Sequence, residues 1–455
     1  MEMVLEFLRD VLSQPALLIG IMSCIGLIAL KRPFHKVMTG TLKPILGYLM
    51  LAAGAGVIVN NLDPLGKMIE HGFHITGVVP NNEAIVAVAQ KVLGVETMSI
   101  LVVGLLMNLC IARFTKFKYV FLTGHHSLFM ACLMSAVLGT AGLSGMELIL
   151  VGGFLMGAWS AISPAIGQSY TSKVTDGDEI AIGHFGSLGY YLSAWVAKYV
   201  GKADDSTEDI EIPEKWGFLR DSTLSTALTM IVFYLIAAFA AGSEFVATLS
   251  GDMSPYLYAV MSAMNFAVGV TIVYSGVRMI LGDLIPAFQG IATKIIPNAI
   301  PAVDCAVFFT YAPTAVVLGF ISSFIGGIIG MLILGAVGGV LIIPGLVPHF
   351  FCGATAGIYG NATGGRRGAA VGAFLNGLAI TFLPAMALPV LGQLGFQNTT
   401  FGDADFAVMG LVLGNAYEWV GMAGIYGIVA IAALVLIVPN FIKTKGKVIN
   451  YVEED

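Results

Sequence analysis

The sequence predicts an all-α polytopic membrane protein of about eleven transmembrane helices with re-entrant segments, built as two internal repeats, the second inverted if the first half holds an odd number of spans. Three observations carry the membrane assignment. Only 11% of the 455 residues are charged and 57% are hydrophobic, against roughly 25% charged in an ordinary soluble domain. Mean hydropathy is +0.88, and nearly uncharged windows of about 20 residues, enough to span a ~30 Å hydrocarbon core, recur along the chain. Finally, the 56 glycines and 17 prolines often fall inside those windows, where they would break a helix. Non-helical backbone at membrane depth is tolerated only where protein or a water-filled cavity satisfies it, which suits a transporter better than a passive anchor.

Residues 1–14, MEMVLEFLRDVLSQ, place apolar residues at 1, 4, 5, 8, 11 and 12 with charges between them. That pattern reads as an amphipathic helix at the membrane interface rather than a cleavable signal peptide. Apolar windows follow at 14–30, 41–59, 97–112, 119–139, 145–163, 223–248, 256–277, 317–346, 369–394 and 407–440. Lys31, Arg32, Lys36 and Lys43 follow the first window, and further positive charge collects at Arg113 to Lys118, Lys198 to Arg220, Arg366–Arg367 and Lys443 to Lys447. Basic loops mark the cytoplasmic side. The amino terminus is then outside and the carboxyl terminus inside, which requires an odd number of spans and favours eleven. The polar stretch 198–222 divides a first half, 15–197, from a second, 223–440, with a tail at 441–455. It reads as a solvated cytoplasmic loop, or alternatively as a docking surface for a cytosolic partner. Cys24, Cys110, Cys132, Cys305 and Cys352 lie in apolar segments without CxxC spacing and read as small buried residues.

Each half carries a similar series of short motifs. Lys43-Pro44-Ile45-Leu46-Gly47-Tyr48-Leu49 matches Arg278-Met279-Ile280-Leu281-Gly282-Asp283-Leu284. Val79-Pro80-Asn81-Asn82-Glu83-Ala84 likewise matches Ile300-Pro301-Ala302-Val303-Asp304-Cys305. Repeats in transporters place the binding site at matching interrupted segments, so Glu83 and Asp304 become paired candidates. An Asp at the centre of a spanning helix costs roughly 2.5–3.5 kcal/mol on insertion scales, so each acid needs a polar cavity or a partner. Each follows a proline by three residues, as in the first turn of a helix starting at that proline, where N–H groups favour an anion. A capping acid and a substrate contact both fit.

Two further clusters stand out: Leu122-Thr123-Gly124-His125-His126-Ser127, and TDGDEIAIGHFGSLGYY (175–191) with His184. Adjacent histidines are not the i, i+4 pair of a helical metal site. Structural histidines and ligand hydrogen bonds are the readings that remain, and no metal or cofactor is expected. Gly326, Gly330, Gly335 and Gly339 suit close helix packing. The run GATAGIYGNATGGRRGA (353–369) lacks the GKS/GKT of a phosphate loop. No nucleophile elbow, HExxH or ATPase motif occurs, so no catalytic residue is expected, and energy must come from an ion gradient or another protein. Nothing points to nucleic acid.

The segments LTGHHSLF (122–129), VTDGDEIAIGH (174–184), LGDLIPAFQGI (281–291), IPAVDCA (300–306), YAPTAVVLGF (311–320) and LIIPGLVP (341–348) resemble the ascorbate-specific IIC permeases of the bacterial phosphoenolpyruvate-dependent phosphotransferase system, the UlaA (SgaT) family. The resemblance runs from about residue 15 to residue 440. It implies an eleven-helix homodimer in the inner membrane, each protomer with a substrate-holding core domain and a domain carrying the dimer contact, both built from parts of both halves. Such a protein binds L-ascorbate outside, moves it inward by displacement of the core and presents it to a soluble IIB protein, itself charged by IIA. The phosphocysteine of IIB makes ascorbate 6-phosphate, and the permease carries no phosphoryl group. The family's ligand contacts fall on Asn82 and Glu83, on His125, His126, Ser127, Leu128 and Phe129, on His184 and Phe185, and on Asp304. The chain departs from the family in having Phe129 and Phe185 where the family has glutamine, and Asn82-Glu83 where it has a hydroxylated pair. On this reading Asp304 and Glu83 accept hydrogen bonds from substrate hydroxyls, while His125 and His184 bond ring or enediol oxygens. The rival is a proton-coupled secondary transporter of a sugar-like or sugar-acid substrate, in which Asp304 or Glu83 carries the proton. An intramembrane enzyme would need a paired nucleophile and base, which the sequence does not show.

Overall fold

The computed structural model describes residues 11, 14–74, 77–78, 80, 82–210, 222–392 and 400–441. The amphipathic segment before Gln14 falls almost wholly outside the described residues, as do the second half of the polar loop and the tail. The elements in chain order are α1 (Pro15–Ala29), α2 (Phe34–Gly72), α3 (Asn82–Phe114), β1 (Tyr119–Phe121), α4 (Gly124–Thr140), α5 (Gly145–Thr175), β2 (Ala181–Ile182) and α6 (Ser187–Val200). They continue with α7 (Ser222–Ala241), α8 (Ser243–Ser250), α9 (Pro255–Lys294), β3 (Ile300–Val303), α10 (Pro313–Ala336), α11 (Leu346–Gly392), α12 (Ala404–Val420) and α13 (Met422–Phe441). Among the described residues, seven helices are long and apolar enough to cross a membrane, or eight if α7 and α8, bent by 117° at Gly242, count as one span.

Apolar windows and spans therefore do not coincide. The window 119–139 folds as β1 followed by the 17-residue α4, and 407–440 breaks at Gly421 (φ 62) into α12 and α13. α11 is interrupted at Gly365, where φ is 61 and ψ −151. A Cβ on Gly360 would lie 2.4 Å from the Gly368 carbonyl oxygen. Eight residues of straight helix would separate those positions by about 12 Å, so α11 folds back on itself into two arms.

α2 and α9 pack antiparallel through small residues. A Cβ on Gly47 would meet Gly276 O at 2.8 Å, and one on Gly54 would meet Gly269 O at 2.7 Å. Seven residues forward in one helix match seven back in the other, and only backbones can approach so closely. Lys43 Nζ and Asp283 Oδ2, from the two matched motifs, lie 3.6 Å apart at one end of this pair.

A sheet sits among the helices, where the sequence reading had helices alone. Its three parallel strands run in the order β1-β3-β2, with Val120 opposite Pro301 and Ile182 opposite Val303. All nine residues are buried. Strands of two to four residues, covered on both faces, show no alternation and read as apolar runs. Pro301 is tolerated in the central strand because N–H groups alternate in direction along a strand. Ile300 donates to Lys118 O on the β1 side. The place of the missing N–H then falls on the other side, where β2 pairs only from Ala302 onward. Pro301 thus lies within a strand, and the expected helix start at this proline gives way to a later one. Asp304 is the N-cap of a 3-10 helix, Cys305–Thr310, and its Oδ1 accepts the Ala306 N–H at 3.0 Å.

The first part of the polar loop is docked against the helices. Glu208 Oε1 accepts the N–H groups of Thr314 and Ala315, both at 3.1 Å, at the start of α10. Arg366 N donates to Asp205 O at 2.7 Å, and Arg366 Nε to Ser206 O at 3.1 Å. The loop thereby rests on the break in α11. A Cβ on Gly365 would lie 2.3 Å from the carbonyl oxygens of both Asp205 and Lys202, and its φ/ψ region is essentially restricted to glycine. Gly365→Ala is expected to cost about 1–3 kcal/mol, seen as a lower thermal unfolding midpoint of the detergent-solubilised protein, with loss of protease protection at 201–210.

Candidate functional site

The sheet explains how residues far apart in sequence meet. β1 leads through Leu122-Thr123-Gly124 to His125, β2 through Gly183 to His184, and β3 directly to Asp304. Because the strands are parallel, all three deliver these side chains at the same end. Leu122 N–H bonds Ala302 O at 2.9 Å and Gly183 N–H bonds Val303 O at 2.7 Å, extending the ladder to the site's edge. A Cβ on Gly183 would lie 2.4 Å from Ala302 O, so glycine is needed for β2 to approach β3.

These residues floor a cavity of about 1230 Å³. Of the sequence-nominated set, Asn82, His125, His126, Phe129, His184 and Asp304 line it. Ser127 is fully buried and bonds back to Thr123 O, Leu128 packs into the core behind α4, and Phe185 stacks on Phe121 with ring centroids 4.6 Å apart. Glu83 lies in the first turn of α3, and its side chain is outside the described residues. Tyr48 and Asp403 also line the cavity, and neither was nominated.

The hydrogen-bond network assigns the histidine tautomers. A backbone N–H can only donate, so a ring nitrogen that accepts one carries no proton. His184 Nδ1 accepts Gly186 N–H at 3.1 Å and lies 2.8 Å from the Tyr190 hydroxyl. His126 Nδ1 accepts Phe185 N–H at 3.3 Å. Both rings therefore hold their proton on Nε2. His125 conforms: Nε2 lies 3.4 Å from Asp304 Oδ2 and Nδ1 lies 3.3 Å from the Tyr48 hydroxyl. His125 Nε2–H donates to the carboxylate while Tyr48 O–H donates to the ring. The 3.8 Å approach of His184 Nδ1 to Asp403 Oδ1 is proximity rather than an ion pair, since that nitrogen already accepts Gly186 N–H.

Two groups, His126–His184–Asp403 and His184–Asp304–Cys305, bring metal-type donors within 4.8 Å. A ligating histidine ordinarily donates its outer N–H to a carbonyl or carboxylate. Here the Nδ1 atoms of His126 and His184 accept backbone N–H instead, so metal binding at Nε2 would have to displace the ring proton. The arrangement suits N–H donation to a polar ligand and does not fit a metal.

Asp405 supports the floor from below. Fully buried, it accepts Leu188 N–H at 2.9 Å, Ser187 O–H at 2.8 Å and Trp159 Nε1–H at 3.2 Å. It thereby closes the first turn of α6 directly behind His184. Asp405→Ala strands three donors, the Ser187 hydroxyl buried and the Leu188 and Trp159 N–H groups on half-buried residues, and is expected to cost about 2–5 kcal/mol, read as a lowered unfolding midpoint.

The cavity runs along α2 from Tyr48 past Asp63 and Lys67 to Phe73, and meets α10 at Phe324 to Leu332. Its lining therefore extends to the end of α2 remote from Lys31 and Arg32. A family model described as the PTS system sugar-specific permease component matches residues 10–405, a span holding every strand and every site residue above. The chain is also 27% identical to a Mycoplasma pneumoniae (strain ATCC 29342 / M129 / Subtype 1) protein named "Ascorbate-specific PTS system EIIC component", over 90% of this chain and 70% of that one. The match covers most of this multi-pass helical chain, and the chain belongs to the sugar-specific permease (IIC) components of the phosphotransferase system.

Proposed function

We propose that this permease takes up L-ascorbate and presents it to a phosphorylated IIB protein, which converts it to ascorbate 6-phosphate. The observation that carries the reading is the floor of the cavity. His126 and His184 are fixed as Nε2–H donors there, beside the carboxylates of Asp304 and Asp403. Ascorbate offers both complements: anionic enediol oxygens that accept, and side-chain hydroxyls that donate. Phe129 adds an apolar wall where an amide would have bonded. The likeness to a relative named as ascorbate-specific supports the choice of substrate.

The remaining parts of the reading follow from the basic loops and the family. The protein sits in the bacterial inner membrane as a homodimer of eleven-span protomers with inverted repeats, its amino terminus outside and its carboxyl terminus in the cytoplasm. With Lys31 and Arg32 inside, the Phe73 end of the cavity faces outward, and the site stands ready to load. Glu83 and Asp304 act as paired substrate carboxylates. IIA and the phosphocysteine of IIB supply the phosphoryl group from the cytoplasm.

A second reading is favoured by one feature: among the described residues, four acids, Asp63, Glu70, Asp304 and Asp403, line the cavity, as a proton-coupled transporter would use. Uptake by membrane vesicles separates the two. Accumulation should require phosphoenolpyruvate and the soluble partners and yield a phosphorylated product; accumulation of free substrate under a pH gradient alone would establish the rival. Asp304→Asn is expected to weaken ascorbate binding ten- to a hundredfold, about 1.4–2.8 kcal/mol, and unchanged affinity by calorimetry would remove Asp304 from the site.

A further inference from the structure

We infer that Asp403 forms a second hydroxyl-binding subsite, so that the substrate is held by two carboxylates, Asp304 and Asp403, that both neighbour His184. This rests on the substrate reading above and extends it to a residue outside the nominated set.

The first observation is what Asp403 does not do. It is the N-cap residue of α12, a position where an Asp side chain ordinarily accepts an N–H of the first turn, yet it makes no capping bond. Its carboxylate lines the cavity instead.

The second is how firmly it is held there. Asn82 Nδ2 donates to Oδ2 at 2.6 Å, and Cys352 Sγ donates to Oδ1 at 2.9 Å. Asn82 Oδ1 in turn accepts Gly402 N–H at 2.9 Å. The start of α3, the first arm of α11 and the segment leading into α12 thus converge on one side chain that is only 5% exposed.

The third is spare acceptor capacity. An ionised carboxylate offers about four lone-pair positions, and among the described residues Asp403 has two donors. His184 Nδ1 adds none, since it accepts a backbone N–H. A buried anion with unfilled acceptor positions at membrane depth is costly, and hydroxyl groups of a ligand in the cavity would fill them.

The last is spacing. A ring nitrogen of His184 lies within 4.8 Å of an Asp403 carboxylate oxygen in one group and of an Asp304 oxygen in another. Both carboxylates therefore neighbour one imidazole, within reach of a five-membered ring with a two-carbon hydroxylated side chain.

The test measures binding of L-ascorbate and of its 5-deoxy and 6-deoxy analogues to the purified full-length protein, wild type and Asp403→Asn. Wild type should bind ascorbate and lose at least tenfold on removal of either side-chain hydroxyl. Asp403→Asn should weaken ascorbate at least tenfold with an unchanged unfolding midpoint, and one of the two deoxy penalties should vanish. A folded Asp403→Asn protein with wild-type affinity, or with both penalties intact, would show that Asp403 is only a tie between helices. Should that variant not fold, Asp304→Asn decides: remaining sensitivity to one side-chain hydroxyl supports the subsite, and insensitivity to both overturns it. A wild type that does not bind ascorbate at all overturns the substrate reading and this inference together, an outcome distinct from wild-type binding that Asp403→Asn leaves untouched.

Discussion

A backbone that leaves the helix inside a membrane must find hydrogen-bond partners within the protein, because hydrocarbon offers none. The parallel sheet of β1, β3 and β2 is where this chain finds them, and the rest of the site depends on it. Each strand is too short to be stable alone. Each is nevertheless anchored by the long helix before or after it, and their ladder runs on through Leu122 and Gly183 to the first residues of the site. A parallel arrangement forces three separate chain segments to arrive in one direction. That is how a histidine from the first half, a second histidine 59 residues later and an aspartate from the second half come to share one floor.

The same economy of partners governs the buried acids. Asp405 is saturated by three donors and serves the fold. Asp304 spends one oxygen on the Ala306 N–H and faces His125 with the other. Asp403 likewise has two donors among the described residues, an amide and a thiol, with room for more. The contrast between one carboxylate with three donors and two with fewer separates the frame of the candidate site from the face turned to the cavity. The histidines are sorted by the same logic. Backbone N–H groups at Phe185 and Gly186 occupy the inner nitrogens of His126 and His184, which leaves the outer N–H groups free for the ligand role proposed for them.

Much of the site was legible in the sequence because charge in an apolar run is expensive, and expense marks function. That reasoning reached Asp304, His125, His126 and His184, which line one cavity. It missed Asp403 and Asp405 although Phe401-Gly402-Asp403-Ala404-Asp405-Phe406 carries the same signal. Both acids fell just ahead of an apolar window and passed for the edge of a loop. Tyr48 was invisible for another reason: a tyrosine in a spanning helix reads as ordinary, and only the meeting of α2 with α4 gives its hydroxyl a role. The strands were illegible in principle, since a buried run of two to four residues carries no period. Pro301 then argued for a helix start where the chain makes a central strand, an exception that depends on β2 being shorter than β1. The same limit affects spans. Composition marks an apolar stretch but cannot say that one will fold back at Gly365 or bend by 117° at Gly242.

The balance of charge in the cavity constrains how an anion could be chosen there. Lys67 is the one Lys or Arg among the described lining residues, and its ammonium lies 2.8 Å from Asp63 Oδ2, with its side chain 54% exposed. A pair so exposed contributes little net attraction. Bulk electrostatics therefore works against an anionic ligand, and affinity must come from directed N–H groups at short range. Donors fixed by tautomer discriminate by the position of each oxygen, since a misplaced one leaves a buried donor unmet at a cost of about 1–3 kcal/mol. On the proposed function, a cavity with this distribution would select by hydroxyl pattern rather than by net charge, and its carboxylates would exclude anions that lack hydroxyls to offer them.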